Sequence, residues 1–318
     1  MGDVIQLKRV ALVGFGEAGG IIGADLVKQG CEVSTYDILL DVAGTRDSMI
    51  AKAERAGVRA IGSLRELVSA TARAVDRSTT RAADGGSPQL IISAVTATSS
   101  QTVAKDAAPF LSAGQIFLDI NSCAPATKRG NAAAVEASGA SYVEAAVMAP
   151  VPPQRLAVPM LLGGRQAAEV CKALRALGMN ASAISEEIGI ASAVKMCRSI
   201  VIKGLEAVTT ECVLAARQLG AEEQVFASLQ NTFPHMGWTA ALPDYLVSRV
   251  AEHGLRRAAE MREVARTLED IGMQPIMASA IAERQDALVA AMAAKHIDYP
   301  HGQPFSWRAL ADELAGKQ

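Results

Sequence analysis

Two hydrophobic rhythms divide the chain. Up to about residue 184, short apolar runs alternate with segments of helical period. RVALVGFG, CEVSTYD, LIISAVTA, QIFLDINS, SYVEAAVMA and VPMLLGG read as strands, and residues 18–29, 100–111, 125–138 and 166–177 read as helices between them. Strands apolar along their whole length belong to a parallel sheet covered on both faces. From about residue 187 long helical stretches take over, interrupted by loops around LPDY and MQP. The pattern predicts an α/β domain over residues 1–186 followed by an all-α domain over 187–318.

Three stretches stand apart from these rhythms. The polar segment RAVDRSTTRAADGGSP, 73–88, reads as a surface loop. The tail HIDYPHGQPFSW gathers aromatic residues between prolines, which excludes a regular element and points to packing on a partner subunit or to a disordered end. In GIASAVKMCRSIVIKGLEAV, 189–208, an apolar helix carries one polar line, Lys195, Ser199, Lys203 and Glu206, at i, i+4, i+8 and i+11. Burying an amine is costly or lowers its pKa, so this line is either a paired seam or a working site.

Composition narrows the function classes. Half of the 318 residues are hydrophobic, enough for two domains with cores, and the net charge of −2 gives no reason to expect nucleic acid or a membrane surface as partner. Five dispersed cysteines read as free thiols of a reducing cytoplasm. The N-terminus resembles no signal peptide, no apolar run is long enough to span a membrane, and four scattered histidines give no metal site.

The chemistry starts at VALVGFGEAGG. Gly14, Gly16 and Gly19 form G-x-G-x-x-G between a strand and a helix. The first glycine permits a tight turn, the second lets a pyrophosphate approach the backbone, and the third lets the helix pack closely on the sheet. Phe15, Glu17 and Ala18 complete the loop, whose helix N-terminus faces the phosphates. Asp37, 23 residues after Gly14 at the end of the next strand, is placed to accept both ribose hydroxyls and repel a 2′-phosphate, so NAD is expected over NADP. The α/β domain is therefore of the Rossmann type. Val95 and Thr96 are expected to line the nicotinamide ribose, and Asn121 and Ser122 to emerge at the carboxyl end of the next strand, where open α/β sheets bind ligands.

Together, GFGEAG, DINSCAP, EAAVMAP with LLGG, and GIASAVKMCRS make the chain resemble the β-hydroxyacid dehydrogenase family, which includes 3-hydroxyisobutyrate and 6-phosphogluconate dehydrogenases. The C-terminal stretches look like the branch with a variant helical domain. The resemblance implies NAD(P)-dependent alcohol oxidation in a cleft between the two domains, and a homodimer built on the helical one. It puts the catalytic lysine at Lys195, as the base for the substrate hydroxyl, with Asn121 or Ser122 holding that hydroxyl. Lys203 and Glu206 are left to a structural or interdomain ion pair.

Three departures from the family pattern bear on the substrate. Its asparagine four residues after the lysine is Ser199 here, preceded by Arg198. Its serine after D-x is Asn121, although Asn-Ser here is similar to the 6-phosphogluconate enzymes. Its Ser-Gly-Gly carboxylate cradle is Met148, Ala149 and Pro150. Arg198 offers a replacement clamp, while Met148, Trp238 and His253 are candidate substrate contacts for a bulky or aromatic alcohol. Two alternatives stand beside the dehydrogenase. One is a lyase that recycles bound NAD, cleaving a C–C bond with loss of carbon dioxide, or of formaldehyde from a 1,3-diol. The other is a nucleotide-binding regulator without turnover.

Overall fold

Leu12 and Val13 are neighbours in one strand yet enter different cores, which explains why the N-terminal runs show no polar alternation. The structure, a computed structural model, describes residues 7–73 and 89–316; apart from Arg73, the predicted loop at 73–88 lies outside them. The chain divides into two compact units, Met1–Lys195 and Met196–Gln318.

In the first unit the order is β1 (Arg9–Val13), α1 (Glu17–Lys28), β2 (Glu32–Tyr36), α2 (Ala43–Arg55), β3 (Arg59–Ala60), α3 (Leu64–Arg73), β4 (Gln89–Ser93), α4 (Ala97–Ala107) and β5 (Gln115–Asp119). It continues with α5 (Pro125–Glu136), β6 (Ser141–Val147), α6 (Val151–Gln154), β7 (Met160–Gly163), α7 (Ala167–Ala176) and β8 (Ala181–Ser185). The sheet runs β3-β2-β1-β4-β5-β6-β7-β8; β1 to β6 are parallel, β7 is antiparallel to β6, and β8 is parallel to β7. Val10, Leu12, Leu90 and Ile92 point into one core, and Ala11, Val13, Ile91 and Phe117 into the other. The chain reverses its winding between β1 and β4, which opens a crevice at their carboxyl ends.

Two strands lie beyond the predicted set. β3 has only two residues, and β8, ASAIS, is a half-exposed edge strand too polar to read as sheet.

The helices α8 (Ile190–Leu219), α9 (Glu222–Thr232), α10 (Leu242–Asp270), α11 (Ile276–Ala294) and α12 (Trp307–Ala315) follow. The expected loop at LPDY is instead the start of α10, with Pro243 in the first turn, where a missing N–H costs nothing. The tail also differs from expectation. Residues 296–306 are irregular, but Trp307 opens α12 under a Ser306 cap, and its ring meets Phe226 edge-on at 5.5 Å in the core of this same unit.

The polar line on α8 is largely a seam to α10. Lys203 pairs with Glu260 at 2.7 Å and donates to the Ser199 hydroxyl, while Glu206 accepts from Arg257. Burial is the main influence on the last two members of the line, pulling the Lys203 pKa down and pushing that of Glu206 up. Lys203 and Glu206 thus pair with α10 and not with each other. Nor is α8 apolar and buried all round, since Val194, Val201 and Val208 are exposed.

Candidate functional site

The three glycines meet three different surroundings. A Cβ on Gly14, whose φ is +91°, would lie 2.5 Å from the Ala94 carbonyl oxygen, and one on Gly19 would lie 2.2 Å from that of Gly14. Around Gly16 a Cβ would meet nothing within 4 Å. Two glycines are therefore required by packing, and the third leaves space at the N-terminus of α1. Gly16 is also the N-cap of α1 and brings no side chain to satisfy the first N–H groups. Glu17 is exposed and Ala18 half-buried at this end, whereas the Phe15 ring is buried in the core below.

Asp37 braces the loop from the end of β2. Its carboxylate accepts from Phe15 N–H at 2.7 Å and Leu39 N–H at 3.0 Å. Beside it Ile38, Leu39 and Val42 are exposed, with Ile38 at 71%; this apolar ledge suits the flat face of an adenine. Lys52, which no motif marks, reaches from α2 to donate to the carbonyls of Phe15 at 2.6 Å and Gly16 at 2.9 Å. These features fit a dinucleotide: an open uncapped helix end for the pyrophosphate, and a carboxylate beside an apolar ledge for the adenosine half.

The carboxyl ends of β4 and β5 are tied together by a buried network. The Asn121 amide oxygen accepts from Val95 N–H at 2.7 Å, and its nitrogen donates to the Ser93 and Ser100 hydroxyls. Asp119 pairs with Lys128 at 2.8 Å and accepts from the Tyr142 hydroxyl, both partners being buried. Burial opposes the Asp119 charge, but Lys128, Tyr142 and the Asn121 N–H outweigh it and hold its pKa below the ordinary value. With its amide engaged on both atoms, Asn121 fixes the Val95 backbone. Ser122 is different: its hydroxyl is buried with no hydrogen-bond partner among the described residues. Thr96 is exposed at the start of α4.

α8 starts against this loop. A Cβ on Gly189 would lie 3.3 Å from Cβ of Pro125, three residues after Ser122. Lys195, in the second turn of α8, is half-buried, and Arg198 is exposed. Met148 is half-buried after β6.

The remaining candidates belong to the helical unit. Ser199 is in the Lys203 seam. Trp238 is buried in the core with Phe226 and Trp307, which makes it a packing residue and not the pocket wall expected. His253 lies 3.3 Å from the Glu252 carboxylate, and burial lowers its pKa. No group of three or more potential metal ligands occurs among the described residues.

Residues 9–184 match the family description "NAD binding domain of 6-phosphogluconate dehydrogenase". The chain belongs to the β-hydroxyacid dehydrogenase family. Within that family it has a variant C-terminal domain, since residues 216–288 match a domain of unknown function, DUF1932. A conserved hypothetical protein of Sinorhizobium meliloti is 34% identical, with 98% of this chain and 97% of that one covered and a TM-score of 0.73. A conserved protein of unknown function, described as structurally similar to 3-hydroxyacid dehydrogenases, is 29% identical over 88% of this chain and 96% of its own, with a TM-score of 0.67. An uncharacterised 28.5 kDa protein of Methanothermus fervidus is 25% identical over 85% of this chain and 94% of its own. The 3-hydroxyisobutyrate dehydrogenase of Mycobacterium tuberculosis, solved with L-serine, shares the fold at 17% identity, with 97% and 99% covered and a TM-score of 0.67. The N-terminal unit of this β-hydroxyacid dehydrogenase homologue is thus an NAD-binding domain.

Proposed function

We propose that the protein is an NAD-dependent oxidoreductase that oxidises a substrate hydroxyl, with Lys195 as the general base. The observation that supports this reading best is the start of α8, which lies against the loop after Ser122 and carries an amine in its second turn. When bound, oxidised nicotinamide supplies the acceptor for the hydride leaving the carbinol carbon. The Lys195 amine takes the hydroxyl proton as the carbonyl forms. Ser122 donates from its unpartnered hydroxyl to the substrate oxygen, and Asn121 keeps the Val95 backbone in place beside the nicotinamide ribose together with Thr96.

Asp37 reads the ribose hydroxyls and favours NAD over NADP. The substrate is a β-hydroxyacid or a bulkier alcohol. Arg198 is the carboxylate partner for the first, and Met148, Ala149 and Pro150 in place of an anion cradle favour the second. That same apolar replacement supports a lyase as the second reading. There the new carbonyl would stabilise the carbanion left by departing carbon dioxide, the Lys195 ammonium formed in the oxidation would return its proton to that carbon, and the reduced nicotinamide would supply the hydride, with a proton from water, for reduction of the shortened carbonyl.

The protein acts as a homodimer. Val194, Val201 and Val208 recur at seven-residue intervals on α8 and are 42%, 63% and 52% exposed, a self-complementary stripe suited to a two-fold partner. Five cysteines, none of them in a disulfide, suit a reducing cytoplasm.

The test is product analysis by mass spectrometry with NADH followed in parallel, using β-hydroxyacids, aromatic alcohols and 1,3-diols. Stoichiometric NADH with an unshortened carbonyl product is expected; a shortened product without net NADH selects the lyase. Lys195→Ala is expected to lower kcat by 10²-fold or more, on the order of the loss of a general base, while NAD binding stays intact. Unchanged turnover refutes the role of Lys195.

A further inference from the structure

Glu144 is a fully buried acid in the apolar run of β6, where an unpaired charge would be very costly. Lysine and arginine do not neutralise it in any ion pair of the described residues. Its partners are the first groups of α8. One carboxylate oxygen accepts from Gly189 N–H at 2.7 Å and Ala191 N–H at 3.0 Å; the other accepts from the Ser192 hydroxyl at 2.8 Å and Ser192 N–H at 3.4 Å. A carboxylate at a helix N-terminus satisfies otherwise orphaned donors and opposes the positive end of the helix dipole.

The surroundings are shaped to hold that carboxylate in one place. On β7 the residue opposite is Gly163, where a Cβ would lie 2.6 Å from the Glu144 oxygen. Gly189 has φ +106°, and a Cβ there would lie 2.7 Å from the Arg129 guanidinium. The helix start therefore packs closely on α5, and the carboxylate on β7.

We propose that Glu144 is a positioning residue for Lys195, fixing the turn of α8 on which the amine is carried. Lys195 follows Ala191 and Ser192 by four and three residues and shares their face of the helix. Side chains on a helix lean towards its N-terminus, so the lysine stem runs back over the clamped turn. Lys195 and the glycine loop belong to the same compact unit, and the clamp ties the amine to the sheet that carries the loop. This inference rests on the reading of Lys195 as the base.

The test has a readout that needs no substrate. The full-length protein is reductively methylated with ¹³C-formaldehyde, and the dimethyl-Lys195 resonance is identified by its absence from Lys195→Arg. In Glu144→Gln an amide nitrogen faces donors and the charge is gone. The Lys195 resonance is expected to move while those of the other lysines and the NAD affinity stay unchanged. With a substrate in hand, kcat falls by about 10 to 10²-fold, on the scale of a misplaced catalytic group, and KM for NAD is unaltered. A folded Glu144→Gln protein whose Lys195 resonance stays in place overturns the proposal. Should Glu144→Gln not fold, Ser192→Ala, which removes one of the four bonds, is judged by the same resonance. Failure of the base reading shows separately, as undiminished turnover in Lys195→Ala, and leaves the resonance result readable.

Discussion

At Asp37 one carboxylate serves two purposes. It holds the glycine loop through Phe15 N–H and caps the turn after β2 through Leu39 N–H, while the lone pairs left over are those proposed to meet the ribose. Asp37→Ala is expected to weaken NAD by about 10-fold or more, since hydrogen bonds to a charged group contribute roughly 1.5–3 kcal/mol, and to narrow the gap to NADP. Fluorescence titration with both nucleotides checks this; an unaltered preference assigns ribose reading to another residue. The glycines make a sharper pair. Gly19→Ala drives a methyl onto the Gly14 carbonyl and is expected to cost about 1–3 kcal/mol in urea unfolding. Gly16→Ala meets nothing and is expected to cost no more than about 1 kcal/mol, the scale of an N-cap change, yet to lose NAD affinity because the methyl occupies the approach of the pyrophosphate. Equal NAD affinity in Gly16→Ala would remove the pyrophosphate from this loop.

Between elements, buried charge is placed wherever one segment must meet another in a single register. In the N-terminal unit Asp119 with Lys128 joins β5 to α5, and Glu144 joins β6 to the start of α8. In the helical unit Lys203 with Glu260 and Glu206 with Arg257 join α8 to α10. Such pairs are weak sources of net stability, but losing one partner strands the other in the core. Glu206→Ala is expected to cost about 3–5 kcal/mol, and Glu206→Leu with Arg257→Leu to recover much of that, both read by urea unfolding. A loss below about 1 kcal/mol in the single variant would mean that Arg257 finds another acceptor.

For the whole molecule, the stripe on α8 is the feature a second copy would cover. Glutamate in the middle of that stripe places like charges against each other across a two-fold axis. Val201→Glu is expected to convert a dimer into a monomer in sedimentation velocity, with helical content retained because the position is solvent-facing within one chain. A wild-type monomer at micromolar concentration, or a variant that stays dimeric, rules out this face. No helix among the described residues is long and apolar enough to cross a membrane.

Much of this was legible in one dimension. Local rules fixed the six apolar strands, the glycine loop and the acid after β2, because strand period, glycine conformation and the length of a β-α-β unit are all properties of short stretches. The all-helical second half was equally plain. The two extra strands were not, since β3 and β8 are recruited by neighbours already in place and carry little signal of their own. Partnership was hidden as well. Nothing in EAAV says that Glu144 meets residues 189–192, nothing around Lys52 says that it reaches the glycine loop, and Asn121 reads as an available amide until Val95, Ser93 and Ser100 occupy it. The sequence determined which residue types were present to bind a dinucleotide and carry a base. Only the tertiary structure decided which polar groups were already spent on one another, because that depends on contacts between positions far apart in the chain.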